Sequence, residues 1–253
     1  NILNPSDGSE LAVKVKPYTG FYGESFNVMT GVVSASGYYA PFRKDGLPDD
    51  KLVLAGRVEA GGLAGAGLRT DGALGVGEDL RVEGALACGG ALKVGGNVRC
   101  AWGIEVQGAF EGGGDARAAW DLLCHGPLTL AGHALVGQDL LVQADTACGK
   151  GLRVGGQIDC AGNLRAGHGI LAGGSITATG HIEAGWGIRA AHDIAAQGAI
   201  KAGESLVAEG LIRAGAGYGI YAGLNVQRDA WEASAQVRAR QRPTELLSGC
   251  WVA

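Results

Sequence analysis

Stepping by six residues from Leu68 to Ile212, the chain places a large apolar side chain at 22 of 25 successive positions, and the phase never slips. The run opens Leu68, Leu74, Leu80, Leu86, Leu92, Val98 and closes Ile182, Ile188, Ile194, Ile200, Leu206, Ile212; only Ala116, Ala134 and Thr146 depart. A second slot, two residues further on, is small. It holds Val76, Val82, Cys88, Val94 and Cys100 early, then alanine in every unit from Ala166 to Ala214. Residues two apart on a strand point to the same side. Each unit is therefore a very short strand with two inward residues, followed by a bend. An amphipathic helix needs apolar spacings of three and four, which a strict period of six excludes.

The bends set the size of the coil. Four residues after the large position, one series reads Gly72, Gly90, Gly108, Gly126, Ala144, Gly162, Gly180, Gly198, Ala216, at steps of 18. The other two bend series are mixed and accept Trp102, Trp120, Trp186, His168 and His192. One edge in three is chemically distinct, so three units make one coil. Glycine at a repeating corner is expected to supply backbone conformations that a side chain would obstruct. The fold class that follows is all-β: a single-stranded, three-sided parallel β-helix, or β-solenoid, of about 18 residues per coil. No coil buries its apolar side alone, so the ends require caps.

Three segments are expected. Residues 1–51 form an aromatic-rich N-terminal cap, holding Tyr18, Phe21, Tyr22, Phe26, Tyr38, Tyr39 and Phe42, seven of the ten Tyr and Phe. Residues 52–222 form the solenoid shaft. Residues 223–253 form a C-terminal cap or tail, in which Val237, Arg238, Ala239 and Arg240 alternate as an amphipathic strand does. With 47 glycines the chain invites a disordered reading, but its apolar fraction of 47% argues against that. No apolar run reaches membrane-spanning length, and the start at Asn1 lacks the pattern of a secretory signal. A net charge of −4 gives no electrostatic footprint for nucleic acid.

Cys88, Cys100, Cys124, Cys148 and Cys160 all fall in the small inward slot, where they replace valine or alanine as small hydrophobes. Their spacing matches neither disulfide reach between coils nor a metal-ligand pattern. Unpaired core thiols lean toward a reducing cytoplasm. No metal and no cofactor is expected. Asp79, Asn97, Asp115 and His133 stack at steps of 18, as do Asp145, Asn163 and His181. Such oxygen ladders hold a cation in one reading; in the other, Asp and Asn serve turns by bonding their own backbone.

The candidate binding residues are aromatic. Trp102 and Trp120 share one edge, and His168 and Trp186 share another. Aromatics at a regular rise either accept a sugar ring or a protein partner, or cover the corners of their own coils. No catalytic residue is assigned: nucleophile elbow, phosphate-binding loop and zinc-protease motif are all missing from the sequence.

The stretch from His168 to Ile188, HGILAGGSITATGHIEAGWGI, resembles glycine-rich bacterial solenoid repeats of the form G-x-G-I-x-A-G. The short hydrophobic alternation over residues 68–222 is also similar to bactofilins, cytoskeletal polymers on a triangular β-helix. The aromatic start and the tryptophan-containing tail depart from bactofilins, whose bare coil ends join head to tail. Hexapeptide acyltransferases share the period, but they place the large aliphatic second in the inward pair and project a loop from the shaft. The resemblance implies a non-catalytic structural or interaction module (a scaffold, surface, phage-tail or toxin-associated shaft). A hexapeptide-type acyltransferase is the first alternative and a carbohydrate-binding β-helix the second. The expected partner is a protein or a glycan, and the expected state a monomer or a laterally packed oligomer.

Overall fold

The computed structural model describes the backbone of residues 11–13, 26–35, 51–54 and 58–252, and side chains from 67 to 252. The side chains of Tyr18, Phe21, Tyr22, Phe26, Tyr38, Tyr39 and Phe42 lie outside the described residues. The chain divides into two compact units, residues 1–126 and 127–253, and both are three-sided parallel β-solenoids.

In the N-terminal unit each strand from Leu68 onward pairs in parallel with the strand 18 residues away. Leu86 lies opposite Ile104, and Ile104 opposite Leu122. Leu74, Leu92 and Phe110 form the second face, and Leu80, Val98 and Ala116 the third. Upstream, strand Val58–Thr70 turns from one face to the next: Val58 pairs with Leu80 and Leu68 with Leu86. Strand Phe26–Ala35 then runs antiparallel along it, with an irregularity between Met29 and Gly31, and Leu11–Val13 adds a further antiparallel strand.

The C-terminal unit repeats the construction. Its faces are built on Leu140–Ile158–Ile176–Ile194–Ile212, Leu128–Thr146–Leu164–Ile182–Ile200–Ile220 and Ala134–Leu152–Ile170–Ile188–Leu206. The six-residue phase ends at Ile212, since the next stacked position, Ile220, stands eight residues further on, yet the stacking continues. Val237 pairs with Leu206, Leu246 with Ile220, and Trp251 with Val237. An insertion after Tyr221 widens the break and carries a short 3-10 turn, Arg228–Ala230, and one helical turn, Trp231–Ser234.

Both inward slots face the core. The large positions from Leu68 to Ile212 are at most 2% exposed, including the three that depart from the pattern. Phe110 and Ala116 share a coil, so a large and a small side chain together keep its volume near that of its neighbours, as close packing requires. Thr146 is buried as well, and its hydroxyl oxygen takes a contact from the Cys160 thiol at 3.4 Å. Backbone groups at the bends bond along the stack: Leu74 N–H donates to Ala91 O, and Gly95 N–H to Val76 O, each at 2.8 Å. These bonds leave few buried backbone groups without partners.

Glycine at the corners has a different cause from the one expected. Among the described residues a positive φ occurs only at Gly217, Gly223 and Gly249, all in the irregular C-terminal segment. Corner glycines within the regular coils are instead places of close approach. A Cβ on Gly95 or Gly167 falls far inside contact with the carbonyl oxygen of Gly77 or Gly149, one coil below.

Cys88, Cys100, Cys124, Cys148 and Cys160 are buried thiols outside any disulfide, whereas Cys250 is half-buried. Burial pushes the Cys148 thiol up to about 12, and raises those of Cys100 and Cys124 as well. Thiols held protonated in an apolar interior are poor nucleophiles. A thiol reagent at neutral pH should therefore modify Cys250 alone in the native protein, and the other five only after denaturant is added. Rapid labelling of two or more thiols without unfolding would contradict the inward assignment.

Candidate binding face

The bends hold the titratable ladders in place by a bond to the neighbouring coil. Asn97 donates its backbone N–H to Asp79 Oδ1 at 2.6 Å and its side-chain amide to the same oxygen at 3.0 Å; Asp115 N–H donates to Asn97 Oδ1 at 2.9 Å. In the C-terminal unit, Asn163 N–H donates to Asp145 Oδ1 at 2.7 Å and His181 N–H to Asn163 Oδ1 at 3.0 Å. Ala199 N–H then donates to His181 Nδ1 at 2.8 Å, and Gly151 N–H to His133 Nδ1 at 3.1 Å. The ladders thus satisfy a corner N–H one coil away, not in their own turn. Among the described residues no three metal-ligating side chains converge.

These bonds also assign two imidazoles. A neutral ring whose Nδ1 accepts carries its proton on Nε2 and presents a donor there. His133 and His181 are therefore arranged as backbone acceptors, with no free basic nitrogen for proton abstraction.

The four aromatic candidates form two pairs. In the N-terminal unit, Trp102 and Trp120 stack with centroids 5.7 Å apart and planes 10° apart. In the C-terminal unit, His168 and Trp186 stack at 4.2 Å and 4°, and His133 meets His168 edge-on at 5.9 Å. The faces that stacked rings turn to each other are closed to a ligand. His168 and Trp186 therefore offer edges, including the indole N–H, to whatever lies beside them.

What lies beside them is an open groove of about 480 Å³ along the third face of the C-terminal unit. Its aromatic side is His133, His168 and Trp186; its floor is the outward column Leu135, Arg153, Leu171, Arg189, Val207. The column is in strict register, each residue opposite the next across the parallel pairs. Gly151, Gly169 and Gly187 join floor to wall without a side chain to fill the angle. At one end of the groove, Asn225 donates its side-chain amide to Gly185 O at 2.8 Å, anchoring the C-terminal insertion there.

The electrostatics of this face differ from those of its neighbour. On the second face, Glu183 bonds Lys201 at 2.9 Å and Arg165 at 3.3 Å. The Lys201 hydrogen bond holds the Glu183 carboxyl below its usual range, and the Arg165 charge adds to this. On the third face Arg153 and Arg189 are exposed, and among the described residues neither makes an ion pair or a side-chain hydrogen bond. The aliphatic residues between them, Leu135, Leu171 and Val207, are half-buried. Sequence reading found His168 and Trp186 but missed this column, whose signal is the residue between the two inward slots read at steps of 18.

No helix among the described residues is long and apolar enough to cross a membrane. No protein family, curated protein or solved structure matches this chain.

Proposed function

We propose that the chain is a non-catalytic interaction module, a repeat body that offers the third face of its C-terminal unit to an elongated partner. The observation that carries this reading is the contrast between faces. Arg165, Glu183 and Lys201 satisfy one another on the second face, while Arg153 and Arg189 stand unpaired beside an open groove on the third. Exposed cations without partners add little to stability, so their placement is better explained by something outside the chain. His168 and Trp186 are the aromatic contacts of that face in this reading. Trp102 and Trp120, a second exposed pair in the N-terminal unit, are a further contact point. Residues 1–51 and 223–253 act as end segments that close the coils around the shaft of 52–222, in keeping with the antiparallel strand Phe26–Ala35 and the docked C-terminal strands.

The competing reading, an acyltransferase, needs a histidine able to take a proton from an acceptor. His133 and His181 spend Nδ1 on backbone N–H groups, which removes these two of the five histidines from that role. Calorimetry with acetyl-CoA is expected to show no heat of binding, and light scattering a monomer or small oligomer. Micromolar coenzyme A binding, abolished by substitution of any one of His125, His133, His168, His181 or His192, would replace the module reading with the enzyme. End-to-end filaments by electron microscopy would show that the end segments do not close the coils, as in bactofilins.

A further inference from the structure

Resting on the reading of this face as a contact surface, we infer that its ligand is an extended anionic polysaccharide whose charge recurs on every second sugar, lying along the stack of coils. The inference starts from the alternation. Along the third face of the C-terminal unit the outward residues run Leu135, Arg153, Leu171, Arg189, Val207, Arg238, aliphatic and arginine in strict turn. Adjacent coils lie about 4.8 Å apart, so Arg153 and Arg189 are separated by about 10 Å. A pyranose in an extended chain spans about the height of one coil. An arginine therefore meets every second sugar, and a half-buried aliphatic side chain meets the sugar between.

The chemistry of each site fits that division. Guanidinium groups recognise carboxylate or sulfate through paired N–H donors. Leu135, Leu171 and Val207 offer apolar patches to the C–H surface of a neutral sugar. The edge of Trp186 supplies a donor along one side, and Ser205, whose hydroxyl donates to Ser234 O at 2.9 Å, ends the column of Gly151, Gly169 and Gly187. The opposite corner is glycine beside Arg153 and Leu171 (Gly155, Gly156, Gly173 and Gly174), which leaves room there for substituents to project, while Gln138, His192 and Glu209 stand on it in the other coils.

A nucleic acid fits less well. It carries a charge on every unit and depends on a broad positive field. This chain is net negative at −4, and Glu204 stands exposed at the end of the aromatic column. A uniformly charged polyuronate would set every second carboxylate against an aliphatic side chain, a desolvation without a partner.

The test uses the whole chain and four probes: hyaluronan oligosaccharides, with one carboxylate per disaccharide; oligogalacturonate, with one per sugar; neutral chito-oligosaccharides; and oligothymidylate, with one phosphate per unit. Hyaluronan decasaccharide is expected to bind best, more weakly as salt rises. R153Q and R189Q should each lose at least tenfold in affinity while melting like the parent. L171R, which makes three arginines consecutive, should shift preference toward oligogalacturonate. Equal binding of the neutral oligomer, tighter binding of oligothymidylate, or no binding of any glycan would overturn the inference. The last outcome, together with silence toward acetyl-CoA, would leave the module reading standing with a different partner.

Discussion

Ile182→Asp should unfold the C-terminal unit under conditions where the parent is stable. Ile182 is fully buried, stacked in register between Leu164 and Ile200. A carboxylate there has an apolar side chain above and below, and among the described residues no cation is buried in the core. The cost of such an uncompensated buried charge is on the order of 4 kcal/mol. In a stack whose coils are stabilised only by their neighbours, that loss propagates to the coils on both sides. Glu183, next in sequence, points outward and contributes only through its partly exposed ion pairs with Arg165 and Lys201. Glu183→Ala should lower the unfolding free energy read from denaturant melts by no more than about 1 kcal/mol. Reversed magnitudes for the two variants would mean that the inward and outward assignments are exchanged.

Gly167→Val should be nearly as damaging, for a steric reason. The series three residues after the second-face core position reads Gly77, Gly95, Gly113, Ala131, Gly149, Gly167, Gly185, Gly203. At Gly167 an added Cβ runs into the carbonyl oxygen of Gly149, and Gly167 N–H is bonded to Cys148 O at 2.9 Å. Relief therefore requires moving two strands apart. An overpacking cost of roughly 3 kcal/mol is expected. Two other glycines grade the effect. A Cβ on Gly180 lies 2.5 Å from Asn163 Oδ1 and 2.9 Å from Asn163 N, so Gly180→Val also displaces a corner acceptor. At Gly174 the nearest atom is Gln157 N at 3.0 Å, and the same edge in other coils carries Trp102, Trp120 and His192. Denaturant melts should rank the losses Gly167→Val, Gly180→Val, Gly174→Val, largest first. Equal tolerance at all three sites would remove close coil approach as the reason for glycine.

The core was legible because burial leaves little choice. Every large position from Leu68 to Ile212 must fill the same interior, and a period of six survives even where Phe110 or Thr146 replaces an aliphatic. Corner chemistry was harder to read. Asp79, Asn97, Asp145 and Asn163 looked like residues bonding their own turns, because such turns are local in sequence. Their actual partners are 18 residues away, a distance that becomes a contact only once coils are stacked. The alternation at Val237 marked a strand, but its place in the stack, and the strands at Leu246 and Trp251, were hidden in another way. The count that identified the earlier coils breaks after Ile212, and the insertion after Tyr221 takes the later strands further out of step. Arg153 and Arg189 were missed because an outward side chain is free of the packing demand that makes inward residues periodic.

The register of the coils also sets how such a chain can change in length. Removing six residues keeps inward positions inward, but it turns every later outward residue onto the next face. A deletion of that size between Arg165 and Glu183 would bring Arg189 over Arg165, replacing an ion pair with a repulsion. Removing 18 residues restores the faces yet reverses the alternation on the third, setting Arg189 over Arg153. Only a step of two whole coils preserves the core, the faces and the alternation together. The core, the faces and the groove thus count the same chain in nested units of one strand, one coil and two coils. A length change that is silent for folding is, at the shorter steps, a rewriting of the surface.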